Sequence, residues 1–190
     1  NEEFYRLFRQ ALEDMAALRL PIAGTDHMVF LPAAGLPWFL APFGRDSLIV
    51  SLQNTLVYPE FACGALEILG SLQAKEVDDY RDAEPGKIMH EIRYGELAHF
   101  KLVPHTPYYG TADATPLYLI TLHAAWRATG DKTLLERHLE AAEIACPGST
   151  SMAIAMATDF RSIRPSPTWA TRTWVGRTLA TASSTRTGRS

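Results

Sequence analysis

The chain has 190 residues, 47% hydrophobic and 21% charged, which is the balance of an ordinary globular domain. A net charge of -3 offers no electrostatic basis for binding nucleic acid, and no run reaches the roughly 18 apolar residues that span a membrane. Two cysteines, Cys63 and Cys146, are too few and too far apart for a disulfide framework or a zinc cluster, so a reduced, cytoplasmic setting without metal is expected.

Residues 2–19 read as an amphipathic helix. Phe4, Leu7, Phe8, Leu12, Met15 and Leu18 recur at helical spacing, with Glu2, Glu3, Arg6, Arg9 and Glu13 off that stripe. Pro21 and Gly24 end it, and residues 21–44 read as a loop rich in Pro, Gly and aromatics. A second helix is expected from Asp46 or Ser47 to about Val57, apolar on more than one face, and a third from about Glu60 to Ala74. The polar stretch from Lys75 to Gly110 has little helical period and exceeds ordinary connections in length. A fourth helix follows from about Asp113 to Thr129, wrapped in Leu117, Tyr118, Leu119, Ile120, Leu122 and Trp126. Gly130-Asp131 breaks the chain before a fifth, one-sided helix carrying Leu134, Leu135, His138, Leu139 and Ala142. Helices apolar all round belong inside and amphipathic ones cover them. The pattern therefore gives an all-α fold, either two concentric layers of helices or a layered bundle.

From Pro147 the composition changes. Residues 147–190 hold six Arg and one Asp but no Glu or Lys, and no apolar period survives. This segment reads as a disordered basic tail or as sequence translated out of frame. Displacing the codons by one base allows residues 147–160 to read PWIDEYGDRDGDGF, and the stretch from Ala170 allows YQNMGWKDSGDCVIYEDG. Two regions are thus expected, 1–146 and 147–190. Because Asn1 opens the chain without a signal-peptide pattern, a fragment of a longer protein is expected.

Three constellations carry chemistry. In the first, Pro37-Trp38-Phe39 leads through Phe43-Gly44 to Arg45, Asp46 and Ser47 at a helix start. Arg45 and Asp46 offer a fork of donors beside a two-oxygen acceptor, which suits neighbouring hydroxyls of one sugar, and Trp38 or Phe43 offers an apolar platform. Equally, Asp46 serves as an N-cap, and Trp38 and Phe39 serve as core. In the second, Pro104-His105-Thr106-Pro107-Tyr108-Tyr109-Gly110 leads to Asp113 at another apolar helix, where Asp113 is again either a ligand group or an N-cap. In the third, His90 and Glu91 are a pair for proton transfer or hydroxyl binding, and as chain neighbours they work only in a loop or strand. No phosphate-binding glycine loop and no nucleophile elbow is present.

Four strings in order, AAGLPWF, FGRDSL, EPGKIMHEIRYGELA and PHTPYYGTADATPLYL, make residues from about Phe4 to Ala145 resemble the helical domain of amylo-alpha-1,6-glucosidases, the glycogen-debranching type of glycosidase. The resemblance implies an (α/α)6 toroid of which this chain holds about the first five helices. It implies hydrolysis of α-glycosidic bonds in an α-glucan by two carboxylates, with no cofactor. It also implies that Trp38, Arg45, Asp46, His90, Glu91, His105, Tyr109 and Asp113 line the sugar site. The family's general acid sits in a downstream GWKDS-like motif, which occurs here only in the displaced frame, and the base lies later still. The expectation is therefore a substrate wall without its acid–base pair, inactive and poorly folded alone. A mannosylglycerate- or trehalose-type toroid hydrolase and a non-catalytic carbohydrate-binding helical fragment are the alternatives.

Overall fold

The computed structural model describes residues 1–22 and 29–146, all within the compact unit Asn1–Ser149. The expected misread or disordered tail, 147–190, lies outside the described residues. The described chain is mostly helical, but the all-α expectation needs one correction. Strands β1 (Arg19–Ile22) and β2 (Val29–Pro32) pair antiparallel, with Arg19 opposite Pro32 and Ile22 opposite Val29. They occupy part of the span read as loop, and both contain a proline, Pro21 and Pro32. Pro is tolerated in a two-stranded sheet, because each strand is an edge and not every N–H is needed.

Helix α1 (Glu2–Ala17) is capped by Asn1, whose Oδ1 accepts from the Glu3 N–H at 3.1 Å, and Glu2 and Glu3 complement the helix dipole. None of its residues is buried. Its apolar stripe, with Phe4 and Phe8 stacked at 6.4 Å, faces solvent. Helix α2 (Gly44–Asn54) is followed by α3 (Glu60–Ser71), both ending earlier than their apolar patterns suggest. At the end of α2, Thr55 Oγ1 donates to the Ser51 carbonyl at 2.8 Å and Asn54 to the Val50 carbonyl at 2.8 Å, so side chains satisfy the last turn. The long insert contains a one-turn helix, α4 (Glu96–His99). Helices α5 (Ala114–Thr129) and α6 (Lys132–Ala145) are separated at Gly130-Asp131 as expected. Gly130 takes a left-handed C-cap at φ 69°, and its N–H reaches the Trp126 carbonyl.

The core lies where α3 and α5 meet, covered by α2, α6 and β2. Phe61, Leu66, Leu69, Tyr118, Leu122 and Leu134 fill it. Gly64 of α3 lies against β2 so closely that a Cβ there collides with the Phe30 carbonyl, which is why the strand can seat Val29 and Leu31 in the core. The helices read as apolar all round keep residues open to solvent, Ile49 on α2 and Ile120 on α5. Tyr118 Oη and His138 Nδ1 meet at 3.0 Å inside the core. Burial pushes the imidazole down to about 4 and the phenol up, so both are neutral at pH 7.

Candidate functional site

Two helix N-termini converge. A Cβ on Gly44, at the start of α2, comes within 3.2 Å of the Ala114 Cβ at the start of α5 and collides with the Met89 carbonyl. Only glycine lets the two helix starts and the 88–92 segment approach this closely. Thr115 Oγ1 accepts from the Ile88 N–H at 3.0 Å and fixes that segment to α5.

Arg45 and Asp113 stand on these two helix starts. Arg45 Nη1 lies 3.6 Å from Asp113 Oδ2, and Arg45 Nε lies 3.9 Å from Asp46 Oδ2. All three side chains are roughly half open to solvent. Asp46 sits inside α2, in its first turn, and Phe43 holds the N-cap position. Asp113 does hold the N-cap position of α5, but its side chain makes no capping bond. Instead its Oδ1 accepts from Thr111 Oγ1. That hydroxyl, followed by the Arg45 charge, draws the Asp113 carboxyl below its ordinary value. Asp113 is thus an ionised acceptor at neutral pH and not a proton donor.

Beside this group three extended segments form a short ladder, with antiparallel bridges from Phe43 to Glu91 and from Glu91 to Tyr108. The Gly44 N–H reaches the His90 carbonyl at 2.8 Å, the Tyr108 N–H reaches Glu91 at 2.9 Å and the Arg93 N–H reaches His105 at 2.9 Å. Glu91 is buried, with Oε1 2.7 Å from His105 Nε2 and Oε2 accepting from Arg93 Nε at 2.9 Å. Both carboxyl oxygens therefore have hydrogen-bonding partners, as a buried polar group requires. His90 takes other partners. Its ring meets those of Phe43 and Tyr108 edge-on, each at 6.3 Å. His90 and Glu91 share an extended segment, as their adjacency demanded, but do not act as one pair.

The remaining expected site residues separate. Trp38 sits in a loop closed by a bridge between Gly35 and Phe39, with 85% of its surface open, so it is not core. Phe39, 5.8 Å from the Phe43 ring, is the aromatic that joins that loop to the ladder. Tyr109 turns inward. Its hydroxyl donates to the Leu72 carbonyl at 2.8 Å, and its ring carries the Arg81 guanidinium at 6.0 Å. Tyr108, and not Tyr109, meets His105, its ring 5.5 Å from the imidazole and its hydroxyl donating to Asp82 Oδ2 at 2.6 Å. The hydrogen bond to Asp82 raises the Tyr108 phenol above its ordinary range, so it stays protonated.

Sequence reasoning missed Tyr108, Arg93, Thr111 and Asp82. Strand alternation was a usable signal for two of them: Arg93 is two residues from Glu91, and only one of Tyr108 and Tyr109 can point to a given side.

Two concavities, about 250 and 450 Å³, lie along the loop after α3, one bordered by Tyr109 and the other by Tyr80 and Lys101. Neither is lined by Arg45, Asp46 or Asp113, whose cluster is an open polar patch. Among the described residues no three His, Cys, Asp or Glu side chains are grouped to hold a metal ion, and no helix is long and apolar enough to cross a membrane. A scan against models of known protein families finds no match to this chain, and neither does a search of curated proteins.

Proposed function

We propose that this chain carries the sugar-gripping wall of a glycoside hydrolase that cleaves α-glycosidic bonds in a glycogen-like α-glucan, built on an (α/α)6 toroid. Arg45, Asp46 and Asp113 hold the hydroxyls of a terminal glucose, while Glu91, His105 and Arg93 border them. The observation that carries this reading is the 3.6 Å pairing of Arg45 with Asp113 at two converging helix starts, where Asp113 forgoes its cap and remains half exposed. A guanidinium fork beside the carboxyl groups of Asp46 and Asp113 offers donors and acceptors together, which is what adjacent sugar hydroxyls require.

Hydrolysis with inversion needs an acid and a base about 6.5–9.5 Å apart with room for water. Asp113 is held ionised and Glu91 is saturated by His105 and Arg93, so neither is assigned the acid role. The acid belongs to the GWKDS-like motif of the displaced frame, and a cytoplasmic enzyme without cofactor completes the reading.

The test is an NMR titration of the 190-residue chain with panose, an α-linked trisaccharide, following the Arg45 Nε–H resonance. Saturable shifts with panose, weaker shifts with β-linked cellotriose and no glucose release are expected. No response to any sugar would sink the proposal. Glucose release by this chain would overturn the assignment of the acid to the displaced frame.

A further inference from the structure

The ladder holds the His105 imidazole at one end. His105 is held through Nε2 by Glu91, but its Nδ1 is buried and has no hydrogen-bond partner among the described residues. A ring held by a single hydrogen bond is free to swing about that bond unless packing stops it. The closest aromatic contact is the Tyr108 ring, edge-on at 5.5 Å and 78°. The same ring meets His90 at 6.3 Å, whose Nδ1 is likewise buried and unpartnered.

Tyr108 itself is held by two independent features. Gly110 has no positive φ that demands glycine, and yet a Cβ there collides with the Tyr108 phenol, at Oη and Cζ. The ring thus lies across Gly110, using space that any other residue would fill. At its far end the hydroxyl donates to Asp82 Oδ2 at 2.6 Å. Asp82 is one of the two non-glycine residues with positive φ among the described residues, at 52°. Lys87 Nζ holds the Asp82 carbonyl at 3.1 Å, so the left-handed turn aims the carboxylate at Tyr108.

We propose that Tyr108 is a positioning residue of the candidate site: latched by Asp82 across Gly110, its ring keeps the His105 imidazole seated on Glu91. The consequence for sugar binding rests on the α-glucan reading above; the seating of His105 does not.

The experiment is proton–nitrogen NMR of the full 190-residue chain with labelled histidine, reading the His105 Nε2–H resonance. In the parent chain a carboxylate-bonded N–H gives a downfield, slowly exchanging signal. Gly110→Ala displaces the ring and is expected to broaden or abolish that signal, with helical circular dichroism unchanged. Asp82→Ala does the same more weakly, whereas Asp82→Asn, which keeps an oxygen acceptor for Tyr108, is expected to restore it. Panose affinity is expected to fall about tenfold in Gly110→Ala. A His105 signal unchanged in both Gly110→Ala and Asp82→Ala overturns the proposal, as does loss in Asp82→Ala without rescue by Asp82→Asn. If the parent chain binds no panose, the α-glucan reading fails, and the histidine signal still decides the role of Tyr108.

Discussion

Helices α5 and α6 begin alike and use their first aspartate differently. Asp131, at the N-cap of α6, accepts from the Thr133 N–H at 2.9 Å and the Thr133 hydroxyl at 2.7 Å, both on Oδ1. Asp113, at the N-cap of α5, divides its oxygens between the Thr111 hydroxyl and the Arg45 guanidinium and leaves the helix N–H groups alone. One aspartate spends its lone pairs on stability. The other turns toward a partly open cluster while the helix behind it does without a cap. The difference lies in which partners each carboxylate takes and not in the residue type or its place at the helix start.

The largest expected effect separates the two directly. Asp113→Ala should weaken panose binding by about 100-fold, the scale of losing a charged hydrogen-bond acceptor, while Asp131→Ala leaves it unchanged. Titration calorimetry on the two variants reads the difference. Equal losses would mean that the start of α5 has no special role in binding.

The second effect belongs to the α6 region and concerns stability alone. The buried His138 takes up a proton only near pH 4, whereas in the unfolded chain it does so near 6.5. Protons therefore favour the unfolded chain: the contribution is complete above pH 6.5 and is lost as pH falls from 6.5 to 4. Urea unfolding should show a loss on the order of 3 kcal/mol across that window. A His138→Gln variant should lack this slope, and its persistence there would assign the titration to another group.

The third effect is smaller and inverts the first. Asp131→Ala should lower Tm by about 3 °C, because a working cap is removed. Asp113→Ala should lower it by less, because no cap bond is lost and the bonds it gives up, to Thr111 and Arg45, are half open to solvent. Thermal unfolding followed by circular dichroism reads both, and a comparable fall in Asp113→Ala would restore the capping role to that residue.

Much of this was legible from local pattern. The 3.6-residue period located the longer helices, and the Gly130-Asp131 break located the turn between α5 and α6. The two aromatic loops ending at apolar helices mark in the sequence the helix starts where Arg45, Asp46 and Asp113 stand. The β1–β2 pairing was not legible, because two four-residue strands containing Pro21 and Pro32 are too short to show a period and each carries a residue that usually ends a strand. The choice between Tyr108 and Tyr109 failed for a related reason. Side chains alternate along an extended segment, so which tyrosine faces His105 depends on its register against Glu91, and that register is set by residues 17 positions apart. The open stripe of α1 shows the remaining limit: amphipathic period predicts a helix with an apolar face but not that the face is covered.

The smallest effect tests how Asp113 is kept ionised. Its carboxyl is drawn below 3.8, first by the Thr111 hydroxyl and then by Arg45, so its ionised form persists at pH values where an ordinary aspartate protonates. The associated stability is complete above 3.8 and is lost only as pH falls through the lower folded value. Thr111→Val should move the midpoint up, toward 3.8, as read from the Asp113 carboxyl carbon shift in an NMR titration. Arg45→Gln should move it in the same direction. Thr111 acts on Oδ1 and Arg45 on Oδ2 of one carboxylate, so the double variant should shift further than either single variant, with the sum departing from strict additivity because the two share a partner. A double variant that shifts no further than Thr111→Val would mean that the hydroxyl bond holds the carboxylate where Arg45 can reach it, making Thr111 the residue that orients the pair.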